Sequence, residues 1–321
     1  MHVLLRALLL VALVAPAGHA SAQEWSDRPI KFLVTSAAGG GIDLMARILA
    51  DSLGRQLPQR VIVENNGGAG GLIATRMIAK EAPDGYSFLF QGPGHAYLPF
   101  LKKNPGYDVR KDFASVSLVT KYPLVLVTRP SLPAKTVAEF IAMAKKEPNK
   151  FSYGSSGVGG ASHIPLAAFT EQAGINMVHV PFRGSGPATA ALISNQIDLV
   201  IDGLAPQLGH IREGRVQPLG VSTRERSPYM PDLPAISETL PGFEFPMWVA
   251  VFAPAKTPKP IIDKMSAAIA AALKDPTTRK RYEELMVDIV GSTPQELDAF
   301  VDQQLNTNKK VIESIGLEST D

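Results

Sequence analysis

The sequence predicts a two-lobed α/β protein with a ligand cleft between the lobes and a two-strand hinge, and three observations carry that expectation. Strand-like and helix-like runs alternate at roughly 30-residue spacing, the pattern of βαβ units built on a mainly parallel sheet. Two glycine-rich loops, Ser36-Ala37-Ala38-Gly39-Gly40-Gly41-Ile42-Asp43 and Gly154-Ser155-Ser156-Gly157-Val158-Gly159-Gly160-Ala161-Ser162, each follow a strand-like run and open a helix-like run. Extended runs at 113–129 and 245–252 lack the intervening helix of a βαβ unit and read as crossings between lobes.

Taken in order, residues 28–35 form a β-rich run, and apolar residues at Ile42, Leu44, Met45, Ile48, Leu49 and Leu53 then fall at helical spacing over 42–56. A strand at 60–64, a glycine break at 65–71, a helix at 72–80 and a strand at 86–90 repeat the unit. The runs 114–120 and 124–128 flank Lys121-Tyr122-Pro123 and make the first crossing. A second series follows: helix 137–146, strand 151–153, helix 162–173, strand 177–181, helix 187–194, strand 197–201, helix 206–213 and strand 216–222. After the return run at 245–252 the pattern holds only helices, at 260–273, 277–286 and 294–315. Helices without strands of their own must bury their apolar stripes on an existing sheet, so they are expected on the first one. The first lobe then comprises 23–122 and 245–321, and the second 123–244.

Residues 1–22 stand apart. A basic start ending at Arg6, a short apolar core over 7–14 and an Ala20-Ser21-Ala22 site form a secretory signal peptide with cleavage expected after Ala22. A spanning helix needs ~20 apolar residues, and this core is too short. The chain has no cysteine, which excludes lipid attachment through cysteine, disulfides and thiolate metal sites. Cleavage leaves about 300 residues, enough to bury a core unaided, with no membrane insertion of the mature chain. Lys and Arg number 32 against 30 Asp and Glu. That balance gives no reason to expect nucleic acid or an anionic membrane as partner.

The loops exclude two familiar chemistries. A triphosphate loop ends in Gly-Lys-Ser/Thr, whereas Gly41 is followed by Ile42 and Asp43; a dinucleotide loop needs a last glycine where this chain has Leu44. The nucleophile elbow Gly-x-Ser-x-Gly fails because Val158 replaces the final glycine. What remains is main chain: the first N–H groups of a helix lack intrahelical partners and sit at the positive end of its dipole, so each loop is either an anion site or a capped structural turn. Arg183, between a strand and a helix, is a carboxylate contact or a solvated arginine, and Asp202 closes another strand where it orients loop N–H groups or a water. The histidines at 95, 163, 179 and 210 show no metal-ligand spacing.

Seven segments carry a resemblance: Arg28-Pro29-Ile30-Lys31-Phe32-Leu33-Val34; Gly39-Gly40-Gly41-Ile42-Asp43 with Ala46-Arg47; Val63-Glu64-Asn65 with Gly68-Ala69-Gly70-Gly71; Ala82-Pro83-Asp84-Gly85-Tyr86; Lys111-Asp112-Phe113; His179-Val180-Pro181-Phe182-Arg183-Gly184; and Pro231-Asp232-Leu233-Pro234. In type and order they resemble the Bug-type extracytoplasmic solute receptors, the substrate-binding proteins of tripartite tricarboxylate transporters. The resemblance implies a periplasmic binding-protein fold, type II-like, that closes over a small organic carboxylate and passes it to integral membrane permease subunits. It implies a monomer without cofactor, metal or catalytic residue. Main-chain N–H groups and ordered waters of the first loop would grip one carboxylate, through Ala37, Ala38, Gly39, Gly40, Gly41 and Asp43. Ser155, Ser156, Ser162 and His163, with Arg183, Gly184 and Asp202 nearby, would complete the pocket. Gln91, Gly92, Pro93 and His95 would line the first-lobe wall. The chain departs from the family at Thr35-Ser36-Ala37-Ala38, where proline and an aromatic residue are usual, and at Gly92-Pro93-Gly94, where hydroxyl-bearing residues are usual. Smaller walls suit a bulkier ligand such as an aromatic acid, beside the di- and tricarboxylates. The rival readings are a periplasmic serine hydrolase and a receptor that reports its ligand to a sensor protein.

Overall fold

The computed structural model describes residues 28–182 and 184–317; the signal-peptide segment and Arg183 lie outside the described residues. The first sheet contains β1 (Ile30–Val34), β2 (Val61–Asn65), β3 (Ser87–Gln91), β4 (Phe113–Tyr122), β10 (Met247–Pro254) and β11 (Asp288–Ile289), in the order β11-β4-β10-β3-β1-β2. The second is ordered β7-β6-β8-β5-β9, from β5 (Leu124–Thr128), β6 (Ser152–Ser155), β7 (Val178–Pro181), β8 (Leu199–Gly203) and β9 (Gln217–Val221). The chain then returns to the first sheet as β10 and the short β11. The helices are α1 (Gly41–Gly54), α2 (Leu72–Lys80), α3 (Gly94–Leu101), α4 (Val137–Lys146), α5 (His163–Ala173), α6 (Ser185–Ile193), α7 (Leu204–Arg212), α8 (Lys259–Lys274), α9 (Pro276–Glu284) and α10 (Pro294–Ser314).

Burial follows from position in the sheets. All eight residues of β10 and all five of β3 are buried, because helices cover both faces of these central strands; the edge strand β2 alternates instead. One face packs Phe32, Phe88, Phe90, Val249 and Val251 against the apolar stripes of α1 and α8. The other packs Leu33, Leu89, Trp248 and Phe252 against α2, α3 and α10. In β5, Leu124 and Leu126 point to one core of the second lobe, and Val125 and Val127 to the other. Each such side chain contributes about 1.5–3 kcal/mol on burial. The Tyr282 hydroxyl, fully buried, donates to the Met45 carbonyl at 2.8 Å and ties α9 to α1.

Three features differ from the expectation. Residues 94–101 form α3 although Pro99 lies within them. Pro99 removes the N–H that would reach back to the carbonyl of residue 95, one bond of a short helix that is held instead by the burial of Ala96, Tyr97, Leu98 and Leu101. The segment after 254 is not purely helical, since Asp288 and Ile289 pair with Lys121 and Thr120 as β11. Finally, α10 does not stay on the first sheet: Ile312 belongs to the core cluster of Phe140, Phe169 and Phe243 in the second lobe, where Tyr97 and Leu101 of α3 also pack.

Register places the two sheets relative to each other. β10 runs antiparallel to both β3 and β4, so β4 runs with β1, β2 and β3 and ends on the same edge as they do. Only Pro123 separates β4 from β5, whose first residue, Leu124, pairs with Gly203 at the end of β8. β6 and β7 run parallel to β8. The C-terminal ends of β1, β2, β3 and β4 in one sheet and of β6, β7 and β8 in the other therefore meet across the Tyr122–Pro123–Leu124 junction. The return strand crosses beside it, and fully buried Ser222 clasps both: its N–H donates to Leu124 O at 2.9 Å, and its hydroxyl accepts from Leu124 N at 3.0 Å and donates to Phe245 O at 2.8 Å.

Candidate functional site

The first-lobe side of this junction is built from loops 35–40 and 66–71 and the start of α3. Ala37, Ala38, Gly39 and Gly41 are exposed, and Gly39 has φ +81°, a conformation open to glycine at little cost. The neighbouring glycine loop, read from sequence only as a break, packs directly on the first. A Cβ on Gly67 would sit 3.0 Å from Ala37 N, and one on Gly71, with φ +94°, would sit 2.7 Å from Thr35 Cβ.

Asp43 is in the first loop for the loop's sake. Its Oδ2 accepts from Gly39 N at 2.8 Å and Arg47 Nε at 3.0 Å, and its Oδ1 from Asn65 Nδ2 at 2.9 Å. The same Asn65 amide donates to Ser36 O at 3.2 Å. Burial alone would raise the Asp43 pKa, but hydrogen bonds from Arg47, Gly39 and Asn65 outweigh it and hold the carboxyl below its ordinary value. With both oxygens engaged, Asp43 braces the wall and presents its main chain rather than its carboxylate.

The wall expected at residues 91–95 is a correction. Gln91 is 1% exposed, its Oε1 accepting from Thr75 Oγ1 at 3.1 Å and facing His95 Nδ1 at 3.2 Å. His95 is fully buried, stacked on Phe252 with centroids 3.9 Å apart and edge-on to Phe113. Burial pushes its pKa down to about 3. Gly92 and Pro93 are buried too; a Cβ on Gly92 would sit 2.9 Å from Trp248 O. Because α3 starts at Gly94, these side chains wind onto β10 and into the core.

On the second lobe, the 155–162 loop is closed at its neck by Ser156 N donating to Ser162 Oγ at 2.8 Å and Ser162 Oγ donating to Ser156 Oγ at 3.1 Å. Ser155 is fully buried and its hydroxyl lies 2.7 Å from His179 Nε2, a partner that the sequence, 24 residues away, gave no means to pair with it. A serine so enclosed is out of reach of a substrate. His163 is 2% exposed, accepting from Gly159 N at 3.1 Å. Gly184 caps α6, and Asp202 lies at the end of β8 beside the Ser185 hydroxyl and Gln207, whose Nε2 is 3.4 Å away. Burial raises the Asp202 pKa, in part offset by hydrogen bonds from Gly203 N, Ser185 and Gln207. Gln207, 1% exposed, also donates to Thr189 Oγ1 at 2.8 Å.

The helices α1, α2, α3, α5, α6 and α7 all begin at this junction, and none has a side-chain cap. The loops that lead into them carry no lysine or arginine among the described residues. The positive potential is thus supplied by main-chain N–H groups and helix dipoles, worth about half a charge at each N-terminus. Such an array can hold an anion and offers no nucleophile. Among the described residues, no group of three or more His, Cys, Asp or Glu is placed to hold a metal ion, and no helix is long and apolar enough to cross a membrane. A cavity of about 590 Å³ elsewhere, between α8, α10 and the start of β4, is rimmed by charged side chains such as Lys259, Asp263 and Asp298 and has no glycine loop.

Solved structures share this fold. The periplasmic binding protein BugD is 35% identical and superposes with a TM-score of 0.84, covering 91% of this chain and 99% of its own. Rpa4515 of R. palustris, solved with adipate, is 30% identical at a TM-score of 0.86, covering 92% and 100%. MatC of Rhodopseudomonas palustris, solved with bound malate, is 31% identical at a TM-score of 0.82, covering 89% and 99%. The model of the tripartite tricarboxylate transporter family receptor, TctC, matches residues 45–317. These are binding proteins rather than enzymes, and the chain belongs to the tripartite tricarboxylate transporter receptor family.

Proposed function

We propose that this protein is a periplasmic receptor that captures a small organic carboxylate by closure of its two lobes and delivers it, as a monomer, to the permease of a tripartite tricarboxylate-type transporter. The observation that carries the reading is the array of six uncapped helix N-termini at the facing edges of the two sheets. Where a first-turn N–H is not already taken by a loop carbonyl, as those of Leu72, His95, Ala96 and His163 are, a carboxylate supplies the acceptor and meets the positive ends of the dipoles. The main chain of 37–41 and the adjoining 66–71 loop hold one carboxylate; Ser156, Gly184 and Asp202 meet the ligand from the other side. Lobe boundaries near 122 and 245 put the hinge at the Ser222 clasp. Relatives bound to adipate and malate make dicarboxylates the first class to examine, with aromatic acids next. Family membership supports the permease partner and, with the signal-like first 22 residues, the periplasmic location.

A thermal-shift panel tests the reading: adipate, malate, citrate and benzoate against neutral solutes of matched size. A ligand at a hundred times its Kd stabilises the fold by about 2.7 kcal/mol, a rise of several degrees. A rise with one or more carboxylates and none with neutral solutes is expected. Neutral solutes alone raising the melting temperature, or turnover of a bound acid, contradicts it.

A further inference from the structure

Three rings lie in a stack beneath the second glycine loop. His163, the first residue of α5, sits on His179 of β7 with centroids 4.3 Å apart and planes 17° from parallel. His179 in turn sits on Tyr153 of β6 at 4.9 Å and 16°. Each imidazole holds a different part of the loop. Gly159 N donates to His163 Nδ1 at 3.1 Å, while His179 Nε2 meets the Ser155 hydroxyl, which also accepts from Gly157 N at 3.2 Å.

The bond from Gly159 decides the His163 tautomer. An accepting Nδ1 carries no proton, so the ring's proton is on Nε2. Between Ser156 and Ser162 the loop offers only Val158 and Ala161 as side chains beyond glycine, and Val158 points out at 59% exposure. Its shape therefore depends on the hydrogen bonds from below. The titratable groups facing the two imidazoles are each other and the Tyr153 phenol; among the described residues no carboxylate, lysine or arginine is bonded to either ring. Burial, then the neighbouring His179, pushes the His163 pKa down to about 4, and burial lowers that of His179.

We propose that His163 and His179 are positioning residues of the binding site: as a neutral stacked pair they hold the 156–162 loop in its ligand-binding shape, and a proton on His163 releases it, whereas the Ser155 hydroxyl, which also donates to Gly157 O at 3.2 Å, can meet His179 as acceptor or donor. A proton on His163 Nδ1 turns the acceptor of Gly159 N–H into a donor, leaving donor against donor. It also sets a desolvated cation against the second ring. The proposal rests on the reading of this loop as a wall of the carboxylate site.

The test has two arms. In the ligand-free full chain, side-chain nitrogen NMR is expected to show His163 as the Nε2–H tautomer, with no titration near 6.5. Amide exchange at Gly159 should be slow in wild type, fast in His163→Leu and intermediate in His163→Asn, whose Oδ1 returns an acceptor. In the second arm, adipate and malate titrations at pH 7.5 should find H163L about tenfold weaker than H163N, the worth of one hydrogen bond. The wild-type to H163N affinity ratio, which cancels the ligand's own protonation, should fall between pH 7.5 and 4. An Nδ1–H tautomer, free titration near 6.5, or equal Gly159 exchange in the two variants overturns the proposal. If neither acid binds wild type, the carboxylate reading fails while the first arm still decides the role of the two histidines.

Discussion

The helices that start at the facing edges of the two sheets and those that start elsewhere end their backbones differently. At the junction, the first turns of α1, α2, α3, α5, α6 and α7 have glycine, serine or proline as N-cap and no side-chain cap. Away from it, α4 is capped by Thr136, α9 by Asp275 and α10 by a Thr293–Glu296 capping box, while α8 opens on prolines that need no partner for an N–H. Four of the six junction caps are glycine, which costs only a few tenths of a kcal/mol against a side-chain cap, so these helices give up little stability while no side chain occupies their first turns. The difference teaches where the chain leaves its helix starts free of side chains, and on the proposed function that is where a ligand meets them.

The largest expected effect comes from removing the brace of the open side. Asp43→Ala strands the donors of Gly39, Arg47 and Asn65, so a loss of about 3 kcal/mol in stability and the disappearance of any carboxylate-induced melting shift are expected from thermal denaturation. Next is Gly71→Ala, which sets a Cβ against Thr35 in a left-handed conformation; about 1–3 kcal/mol of destabilisation is expected, with weaker binding because loop 66–71 presses on loop 35–40. On the capped side the expectation reverses. Thr293→Ala should cost about 1 kcal/mol through the lost cap and leave the carboxylate shift intact. If it abolishes the shift instead, the division into lending and self-capped helices is wrong.

Acid titration tests whether His95 belongs to the core. His95, at about 3 against 6.5 when unfolded, contributes stability that is complete above pH 6.5 and lost as pH falls towards 3, since only the unfolded chain takes up the proton in that window. Urea titrations should show His95→Leu with a flatter acid limb than wild type. An unchanged limb would mean that His95 reaches water, as a cleft residue would.

Much of this architecture is legible in the chain because its signals are local. The strand–glycine–helix units and the helix-free crossings announce both sheets and the junction between them. What is hidden is what depends on contacts distant in sequence. Gly92, Pro93, Gly94 and Pro99 carry no helix signal, so the sequence leaves Gln91 and His95 on a wall; the end of β3 and the first turn of α3 carry them into the core instead. The 65–71 segment reads as a break because its partner, the backbone of Ser36 and Ala37, lies some thirty residues earlier. The pairing of Ser155 with His179 carries no periodic mark, and the amphipathic pattern of α10 does not say that its last turn reaches the second lobe.

The central claim, that open N-termini do the binding, is tested most directly by closing one. Gly40, the N-cap of α1, has extended backbone that suits a capping residue, with room to be made beside Ala37 O at 3.3 Å. In Gly40→Asp the new carboxylate competes for the first-turn N–H groups from within. The measurement is the melting-temperature shift that adipate or malate produces in this variant relative to wild type. The account predicts a folded protein whose shift is lost; a shift of full wild-type size would contradict it.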